Sequence, residues 1–344
     1  MTFSALVYHA AGRGNRFPPN TLSGLRDCLD AGARFVEVDI NPLADGEYAL
    51  LHDRFLEDET NGKGSVAAAT GQAVRGLRRR WQGKLTDERV ALLSDAAAQA
   101  ADAQTLVELQ LDLKAYTPVP DAELASLGRT IGPLGRRVRV SSTWDRELRR
   151  LHELAPDLAL GFDPLRHLDV DPGPGKMASR YLRRTGAYGY LDDHALAADR
   201  WGTACEYLAT RAEVLWAQAP VAMWYIRATL LARMLADGFD WIADLHRRGA
   251  QVTTWTLNPD RPHHLGLAAE LIEHGVDRII TDDAERLAEA LELAYNCVGE
   301  GRSKLAGASQ DFVQSPCTDT EVGLPQCNQG RVHCLDQTRL FRYQ

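Results

Sequence analysis

The amino-acid sequence predicts an α/β protein built as a single (β/α)8 TIM barrel, with rim insertions and an irregular C-terminal tail. Three observations lead to this prediction. Eight short stretches have the pattern of β-strands, most are followed by a stretch with helical periodicity, and polar side chains collect where the strands end. Alternating strands and helices favour a parallel sheet, and this number of strands favours a closed barrel. The 344 residues leave room for one barrel of roughly 250 residues and its extensions.

Each predicted strand is a short apolar or alternating run. The runs cover residues 4–8, 35–40, 106–113, 136–142, 158–162, 220–226, 251–257 and 278–281. Residues 106–113 alternate apolar and polar side chains, which is the period of a strand. The next run starts after Gly132 and Pro133, a pair that signals a break in regular structure.

Helical patterns fill most of the gaps between these strands. Leu22, Leu25 and Leu29 share one face of the first predicted helix. Asn20 is expected to be its N-cap and Gly32 to mark its end. Later helices are predicted over residues 144–154, 239–248 and 265–274. The connections at 54–101 and 164–219 are long for one β/α unit, so we expect them to be insertions on the barrel rim.

The barrel is expected to span residues 1–295, and residues 296–344 are expected to form a low-complexity tail. This tail is rich in Gly, Ser, Gln and Asp and shows no sustained period, so we expect it to be flexible and outside the main fold. Its four cysteines have spacings that match no zinc pattern. Cys28 and Cys205 lie in helical-looking segments and are expected to be small core residues.

Composition and charge limit the possible partners. A formal net charge of -8 argues against nucleic acid or an anionic membrane as the main partner. The N-terminal residues carry no positive flank and make a poor signal peptide. The longest apolar region, residues 208–235, is interrupted by charged side chains, so no transmembrane segment is expected. We therefore expect a cytoplasmic protein, and its oligomeric state stays open.

The stretch VEVDINPLADGEYALLHD, residues 36–53, carries the strongest functional signal. Glu37 and Asp39 are two residues apart on a predicted strand, so both carboxylates point to one side. Asp45 and Gly46 form a tight-turn signal that folds the chain back. The returning chain delivers His52 close to the two carboxylates. Two acids and an imidazole in this arrangement suit a divalent cation with an acid/base group beside it.

Other predicted strands also end in polar side chains, as expected for the catalytic face of a barrel. Asp112 and Lys114 end the third strand, and their spacing lets both face the mouth of the barrel. With Glu37 and Asp39, Asp112 supplies hard oxygen ligands that suit Mg²⁺ or Ca²⁺. Glu108 lies on the same face as Asp112 and is the alternative third ligand. Further strand ends carry His9, Trp255, Asn258, Thr281 and Asp282.

These residues resemble the motifs of the glycerophosphodiester phosphodiesterase family, whose barrel is similar to that of phosphoinositide-type phospholipase C. The resemblance runs from the first predicted strand to the last and rests on the order and spacing of its motifs. They are His9, Pro19-Asn20-Thr21, Gly32-Ala33, Glu37-Val38-Asp39, Asp45-Gly46, His52-Asp53, Thr60-Asn61-Gly62-Lys63-Gly64, Asp112-Leu113-Lys114, Trp255-Thr256-Leu257-Asn258, Gly275-Val276-Asp277 and Ile280-Thr281-Asp282.

The resemblance implies metal-dependent hydrolysis of glycerophosphodiesters to glycerol 3-phosphate and an alcohol, with a small-molecule phosphodiester as the partner. It implies that His9 and His52 act as acid and base, in an order that the sequence leaves open. Lys114 would add a positive charge against the phosphate, and Trp255 either lines the substrate pocket or packs under the rim. In the family, the glycerol hydroxyl next to the phosphate is thought to attack, and water then opens the cyclic phosphate.

Three positions depart from the family pattern. Ala10 stands where the family usually has an Arg that contacts the phosphate, and Pro19 stands where it has a Glu. Asp112 is shorter than the usual Glu, so a bound ion must lie closer to that strand. Arg13 or Arg16, from the loop after the first strand, is expected to supply the missing cation.

Two other functions stay open. The same site would suit a phospholipase D-like enzyme acting on a lysophospholipid or sphingolipid head group, as in sphingomyelinase D-like lyases, whose third acid is also thought to be Asp. A non-catalytic barrel that binds a phosphoryl ligand is the other alternative, because the family's Arg and Glu are missing. Two clusters receive no functional role. The run Arg78-Arg79-Arg80 is interpreted as a solvated helix face, and His263-His264 show no ligand spacing.

Overall fold

The computed structural model describes residues 5–169, 202–219 and 221–292, and eight parallel strands close into a barrel within them. The barrel order is β1-β2-β6-β7-β8-β9-β10-β11, and it closes because β1 pairs with both β2 and β11. The predicted (β/α)8 barrel is therefore confirmed. The strands are β1 (Ala5–Tyr8), β2 (Phe35–Pro42), β3 (Tyr48–Ala49), β4 (Arg78–Trp81), β5 (Lys84–Arg89), β6 (Glu108–Leu113), β7 (Val138–Ser142), β8 (Ala159–Phe162), β9 (Met223–Arg227), β10 (Gln251–Trp255) and β11 (Arg278–Thr281).

Helices follow most of the barrel strands. They are α1 (Leu22–Asp30), α2 (Leu56–Glu59), α3 (Gly71–Arg75), α4 (Leu93–Ala101), α5 (Asp121–Ile131), α6 (Asp145–Leu154), α7 (Ala204–Gln218), α8 (Ala228–Ala236), α9 (Trp241–Arg247) and α10 (Pro262–Glu273). A further helical segment covers residues 284–292. The first predicted helix corresponds to α1, and those at 144–154, 239–248 and 265–274 correspond to α6, α9 and α10, whereas several others, α4, α5 and α8 among them, were not predicted individually.

The N-cap of α1 differs from the prediction. Thr21 is the capping residue, and its hydroxyl accepts a hydrogen bond from the backbone N–H of Gly24 at 3.2 Å. Asn20 precedes it and bonds to a different strand, described below. Both residue types are good N-caps, so sequence alone does not separate them. Helix α1 ends at Asp30, and Gly32 follows with a φ of 81° that suits glycine.

Strand β2 separates the core from the cavity side by its alternation. Val36, Val38 and Ile40 are fully buried in the core cluster that also contains residues of α1 and α4. Burying each of these side chains contributes about 1.5–3 kcal/mol. Glu37 and Asp39 alternate with them and line a cavity at the barrel mouth. Burial of the apolar side chains therefore determines which face of β2 packs against the helices. The alternation of the strand then points both carboxylates toward the cavity.

The connection after β2 contains the predicted rim insertion. Strand β3 pairs with the end of β2 through the predicted turn, and residues 54–90 then form α2, α3 and the antiparallel hairpin β4–β5. The interpretation of Arg78-Arg79-Arg80 as a solvated helix face is wrong, because these residues lie in β4. Arg79 is fully buried and donates to Glu59 Oε1 at 3.0 Å and to the carbonyl of Pro19 at 2.9 Å. These acceptors compensate for burial of its charge.

An ion-pair network fills the N-terminal end of the barrel interior. Glu108 Oε2 accepts hydrogen bonds from Arg139 Nε at 3.1 Å and Nη2 at 3.0 Å, and Glu108 Oε1 accepts one from Arg278 Nη1 at 2.5 Å. Glu108 begins β6, whereas Asp112 lies near its other end. The structure therefore does not support Glu108 as the alternative third metal ligand.

Part of the predicted organisation lies outside the described residues. This holds for the tail at 296–344 with its four cysteines, and for most of the insertion at 164–219 before α7. Cys28 and Cys205 are buried, as predicted. Within the described ranges, no helix combines the length and the apolar character needed to cross a membrane.

Candidate active site

Three carboxylates meet at the C-terminal ends of β2 and β6. Glu37, Asp39 and Asp112 each offer one oxygen, and these oxygens lie within 4.8 Å of one another. The strand register explains their meeting, because Asp39 is the direct partner of Asp112 in the neighbouring parallel strand. Glu37 and Asp39 are buried, and Asp112 is half-buried. The structure thus brings the three predicted ligands together.

Burial and neighbouring charges shift the pKa values of the carboxylate cluster in opposite directions. Burial and the nearby charge of Asp39 raise the pKa of Glu37 to about 8. Lys114 Nζ lies 3.0 Å from Asp39 Oδ1 and donates to Asp112 Oδ2 at 2.5 Å. Burial opposes ionisation of Asp39 as well, but the charge of Lys114 outweighs it and lowers the pKa of Asp39. With all three carboxylates ionised and the imidazoles neutral, Lys114 would balance one of the three negative charges, and a divalent cation would supply the other two.

His9 lies directly after β1 and lines the same cavity. Its Nδ1–H donates to Asp282 Oδ1 at 2.7 Å, and its Nε2 lies 3.9 Å from Glu37 Oε2. Asp282 is held in turn by Asn258, whose side-chain amide donates to Asp282 Oδ2 at 2.5 Å. Burial opposes protonation of His9, but the hydrogen bond to Asp282 and the charge of Glu37 outweigh it and raise the pKa of His9 to about 9. This arrangement leaves Nε2 for a proton transfer.

His52 reaches the cavity after the chain has turned back, as predicted. Its Nδ1–H donates to Asp53 Oδ1 at 2.9 Å. Its backbone N–H donates to Glu59 Oε2 at 2.8 Å, and its carbonyl accepts a hydrogen bond from Tyr116 Oη at 2.8 Å. Glu59 is also the partner of Arg79, so the rim insertion helps to position this imidazole.

Further side chains orient two of the carboxylates. The Asn20 amide donates to Asp39 Oδ2 at 2.7 Å, and its oxygen accepts from the Asp39 backbone N–H at 2.9 Å. Asn20 is buried at a φ of 57°, which Asn tolerates better than most residues. Ser141 Oγ donates to Asp112 Oδ1 at 3.1 Å and accepts from Gln110 Nε2 at 3.1 Å. Asp39 and Asp112 therefore have fixed directions before any ligand binds.

The carboxylates and both imidazoles line one cavity of about 360 Å³. Lys114 and Trp255 also line it, so the structure brings these two predicted substrate contacts to the site. Asp163, directly after β8, and Arg227, at the end of β9, add further polar groups to the wall. Burial raises the pKa of Asp163 to about 8. The cavity therefore combines acidic, basic and aromatic groups on barrel strands that face one another.

The structure does not bring Arg13 or Arg16 to the cavity. Arg13 Nε donates to Glu285 Oε1 at 2.8 Å, and its Nη1 donates to Asp27 Oδ2 at 3.4 Å. Arg16 Nη1 donates to Asp27 Oδ1 at 3.1 Å. These acids lie on α1 and on the helical segment 284–292, and they hold both arginines away from the carboxylate cluster. Ala10 stands where the family usually has an Arg. Its backbone N–H donates to Glu37 Oε2 at 2.7 Å.

The sequence did not identify four of these side chains as site residues. A signal exists for Ser141, Asp163 and Arg227, because each lies at or beside the last position of a barrel strand. Asn20 lies in the motif Pro19-Asn20-Thr21, but its contact with Asp39 joins separate parts of the chain, and local patterns predicted only a helix cap.

The carboxylate cluster fits a divalent cation by its chemistry. All three groups are oxygen donors, the ligands that Mg²⁺ and Ca²⁺ prefer. Burial and the neighbouring carboxylates raise the pKa of Glu37 to about 8, and a bound cation would favour its ionised form. Glu37, Asp39 and Asp112 are therefore the residues that would hold the ion.

The fold and the cavity define a class of (β/α)8 barrel with three carboxylates that could hold a cation and two imidazoles in the same cavity. The sequence model of the glycerophosphoryl diester phosphodiesterase family matches residues 11–286. The chain belongs to this family, as its motifs indicated.

Individual relatives agree with this membership. The chain is 24% identical over 160 residues to a glycerophosphodiester phosphodiesterase from Caldanaerobacter subterraneus subsp. tengcongensis, and the alignment covers 45% of this chain and 65% of that relative, slightly less than two thirds of its length. A glycerophosphodiester phosphodiesterase from Agrobacterium tumefaciens has a similar solved structure, with a TM-score of 0.56, 18% identity and coverage of 83% of this chain and 100% of that one. An Oleispira antarctica phosphodiesterase, solved in complex with the product sn-glycerol-3-phosphate, gives a TM-score of 0.57, 18% identity and coverage of 84% and 96%. At these identities, the two structures establish the shared fold.

Proposed function

We propose that this protein hydrolyses glycerophosphodiesters to glycerol 3-phosphate and an alcohol, with a divalent cation held by Glu37, Asp39 and Asp112. The observation that carries this proposal is that His9 and His52 line the same cavity as the three carboxylates. Each imidazole has its Nδ1 fixed by an aspartate, which leaves Nε2 for the substrate. Family membership and the product complex of the Oleispira antarctica relative support the substrate class.

Cleavage of a phosphodiester requires one group that accepts a proton and one that donates a proton. In the first step, one imidazole accepts the proton of the glycerol hydroxyl next to the phosphate, and that oxygen attacks phosphorus. The other imidazole donates a proton to the departing alcohol oxygen. In the second step, water opens the cyclic phosphate and the imidazoles exchange roles, so both regain their starting protonation. A bound cation would neutralise charge on a phosphoryl oxygen.

The test is an assay of glycerol 3-phosphate release from a panel of glycerophosphodiesters, with and without EDTA. We expect activity that EDTA abolishes and that added Mg²⁺ or Ca²⁺ restores. His9→Ala and His52→Ala should each lower kcat by about 10²- to 10⁴-fold, with an unchanged circular dichroism spectrum. His263→Ala is the matched control, because His263 is exposed on α10 and does not line the cavity.

The same assay separates the alternative functions. Release of a head group from a lysophospholipid or a sphingolipid, without turnover of any glycerophosphodiester, would assign the site to another substrate class. Binding of glycerol 3-phosphate without turnover of any diester would show a binding protein. Either result would refute the proposed hydrolysis.

A further inference from the structure

The cavity wall across from the carboxylate cluster is formed by two neighbouring strands. In the barrel order, β9 and β10 lie four positions from β2 and β6, which places them on the opposite side. Arg227 ends β9 and Trp255 ends β10, and the two are direct partners in the pairing register. Both side chains line the cavity. Arg227 and Trp255 therefore face the carboxylates across the space that a substrate would occupy.

This wall carries buried hydrogen-bond donors that have no acceptor within the described ranges. Arg227 Nε and Trp255 Nε1 are buried, and neither has a hydrogen-bond partner among the described residues. Tyr225 also lines the cavity. Its hydroxyl is buried and likewise has no hydrogen-bond partner among the described residues. An unpaired buried donor costs about 1–3 kcal/mol. A ligand that brings oxygen acceptors into the cavity would remove this cost.

The guanidinium of Arg227 is held in a defined position. Its Nη1 lies 3.2 Å from Asp169 Oδ2. Its Cζ lies over the indole of Trp255, 5.0 Å from the ring centroid. A planar guanidinium that is already fixed by an acid and by an aromatic ring loses little conformational freedom when it binds a ligand. These contacts leave the Nε edge of the guanidinium without an acceptor among the residues that the structure describes.

Few permanent positive charges in the cavity can meet an anionic substrate. Among the described residues that line it, Lys114 and Arg227 carry such charges. Lys114 already contacts two carboxylates at 3.0 and 2.5 Å. Arg13 and Arg16 are paired with acids elsewhere, and Ala10 has no charge.

We propose that Arg227 and the indole N–H of Trp255 together bind a non-bridging oxygen of the substrate's phosphoryl group. The inference rests on the proposed function for its substrate class. The contact is to the phosphoryl group, which all glycerophosphodiesters share, so it contributes affinity without selecting among their alcohols. The product glycerol 3-phosphate keeps the same oxygens and is bound by the same wall.

The test is calorimetric titration of the purified full-length chain with glycerol 3-phosphate, with and without Mg²⁺. Arg227→Met keeps an unbranched side chain and removes the donors. We expect binding to weaken about 10- to 100-fold, as expected for loss of a hydrogen bond from a charged group. Trp255→Phe keeps an aromatic ring but removes the indole N–H together with the five-membered ring that carries it, and it should weaken binding by about 2- to 10-fold. In kinetics, Arg227→Met should lower kcat/KM by one common factor for every diester in the panel.

Arg248→Met is the matched control. Arg248 also lies over a tryptophan, Trp216, at 5.4 Å, and it pairs with Asp244 at 3.1 Å, but it does not line the cavity. This variant should bind glycerol 3-phosphate as the wild type does.

Unchanged binding in both Arg227→Met and Trp255→Phe would overturn the proposal, as would a wild type that does not bind glycerol 3-phosphate. A kinetic loss confined to one head group would also overturn it. A wild type that binds glycerol 3-phosphate but cleaves no diester would refute the proposed function alone, because the binding comparison would still decide the role of Arg227.

Discussion

Replacement of Asn20 by Ala tests how the carboxylate cluster is held. The change removes two hydrogen bonds to Asp39, one to its carboxylate at 2.7 Å and one from its backbone N–H at 2.9 Å. Asn20 is 1% exposed, so water cannot readily replace them. The bond to the carboxylate contributes about 1.5–3 kcal/mol, and an unpaired N–H costs about 1–3 kcal/mol. A left-handed backbone adds about 1 kcal/mol for Ala. Because these terms overlap, we expect a loss of about 3–5 kcal/mol in unfolding free energy.

The assay is urea unfolding monitored by circular dichroism. The dependence of the unfolding free energy on urea concentration is compared between the variants. Asn15→Ala is the control, because Asn15 is exposed in the same loop, and it should change the unfolding free energy by less than about 0.5 kcal/mol. The Asn20→Ala protein should also bind Ca²⁺ more weakly, since Asp39 loses its fixed direction. A destabilisation below about 1 kcal/mol together with unchanged Ca²⁺ affinity would refute this reasoning.

Two further predictions concern the barrel interior. Burial opposes ionisation of Glu108, but its two arginine partners outweigh it and lower its pKa below 4.5. A group with a lowered folded-state pKa stabilises the fold fully above its unfolded pKa and loses that contribution as pH falls through the folded value. Glu108→Gln should therefore lower the unfolding free energy by about 3–5 kcal/mol at pH 7 and by progressively less below pH 4.5. A destabilisation that does not change with pH would contradict this account. A Cβ on Gly161 would lie 2.3 Å from Cε2 of the buried Tyr225 ring, so Gly161→Ala should destabilise by about 1–3 kcal/mol in thermal unfolding. Gly128→Ala, with open space on α5, should stabilise by about 0.5–1 kcal/mol, and similar unfolding midpoints for these two alanine variants would count against the packing argument.

The barrel could be predicted from sequence because each strand carries its own local pattern. The eight predicted strands are confirmed with boundaries shifted by a few residues. Arg227 was missed because of one such shift. The sixth predicted strand, β9 in the structure, was predicted to end at residue 226 and ends one residue later. A basic residue directly after an apolar strand is the same kind of signal that identified Lys114.

Contacts between distant segments could not be predicted from local patterns. A run of three arginines is usually solvated, and burial of Arg79 depends on Glu59 on another element. Asn20 and Thr21 are equally good caps by residue type, and only the fold shows that Asn20 faces β2 instead. Arg13 lies close in sequence to the position where the family usually has an Arg. The loop after β1 instead places its guanidinium against Asp27 and Glu285, which lie on helices. The carboxylates were found because strand alternation and register, both regular, determine where they point.

The central claim is that Glu37, Asp39 and Asp112 bind one divalent cation. Calorimetric titration of EDTA-treated protein with Ca²⁺ and with Mg²⁺ tests it most directly. We predict one site per chain that is lost in Asp39→Asn and retained in Asp163→Asn, which changes a carboxyl group of the same cavity outside the cluster. The absence of any cation binding by the wild type, or full binding by Asp39→Asn, would contradict the claim.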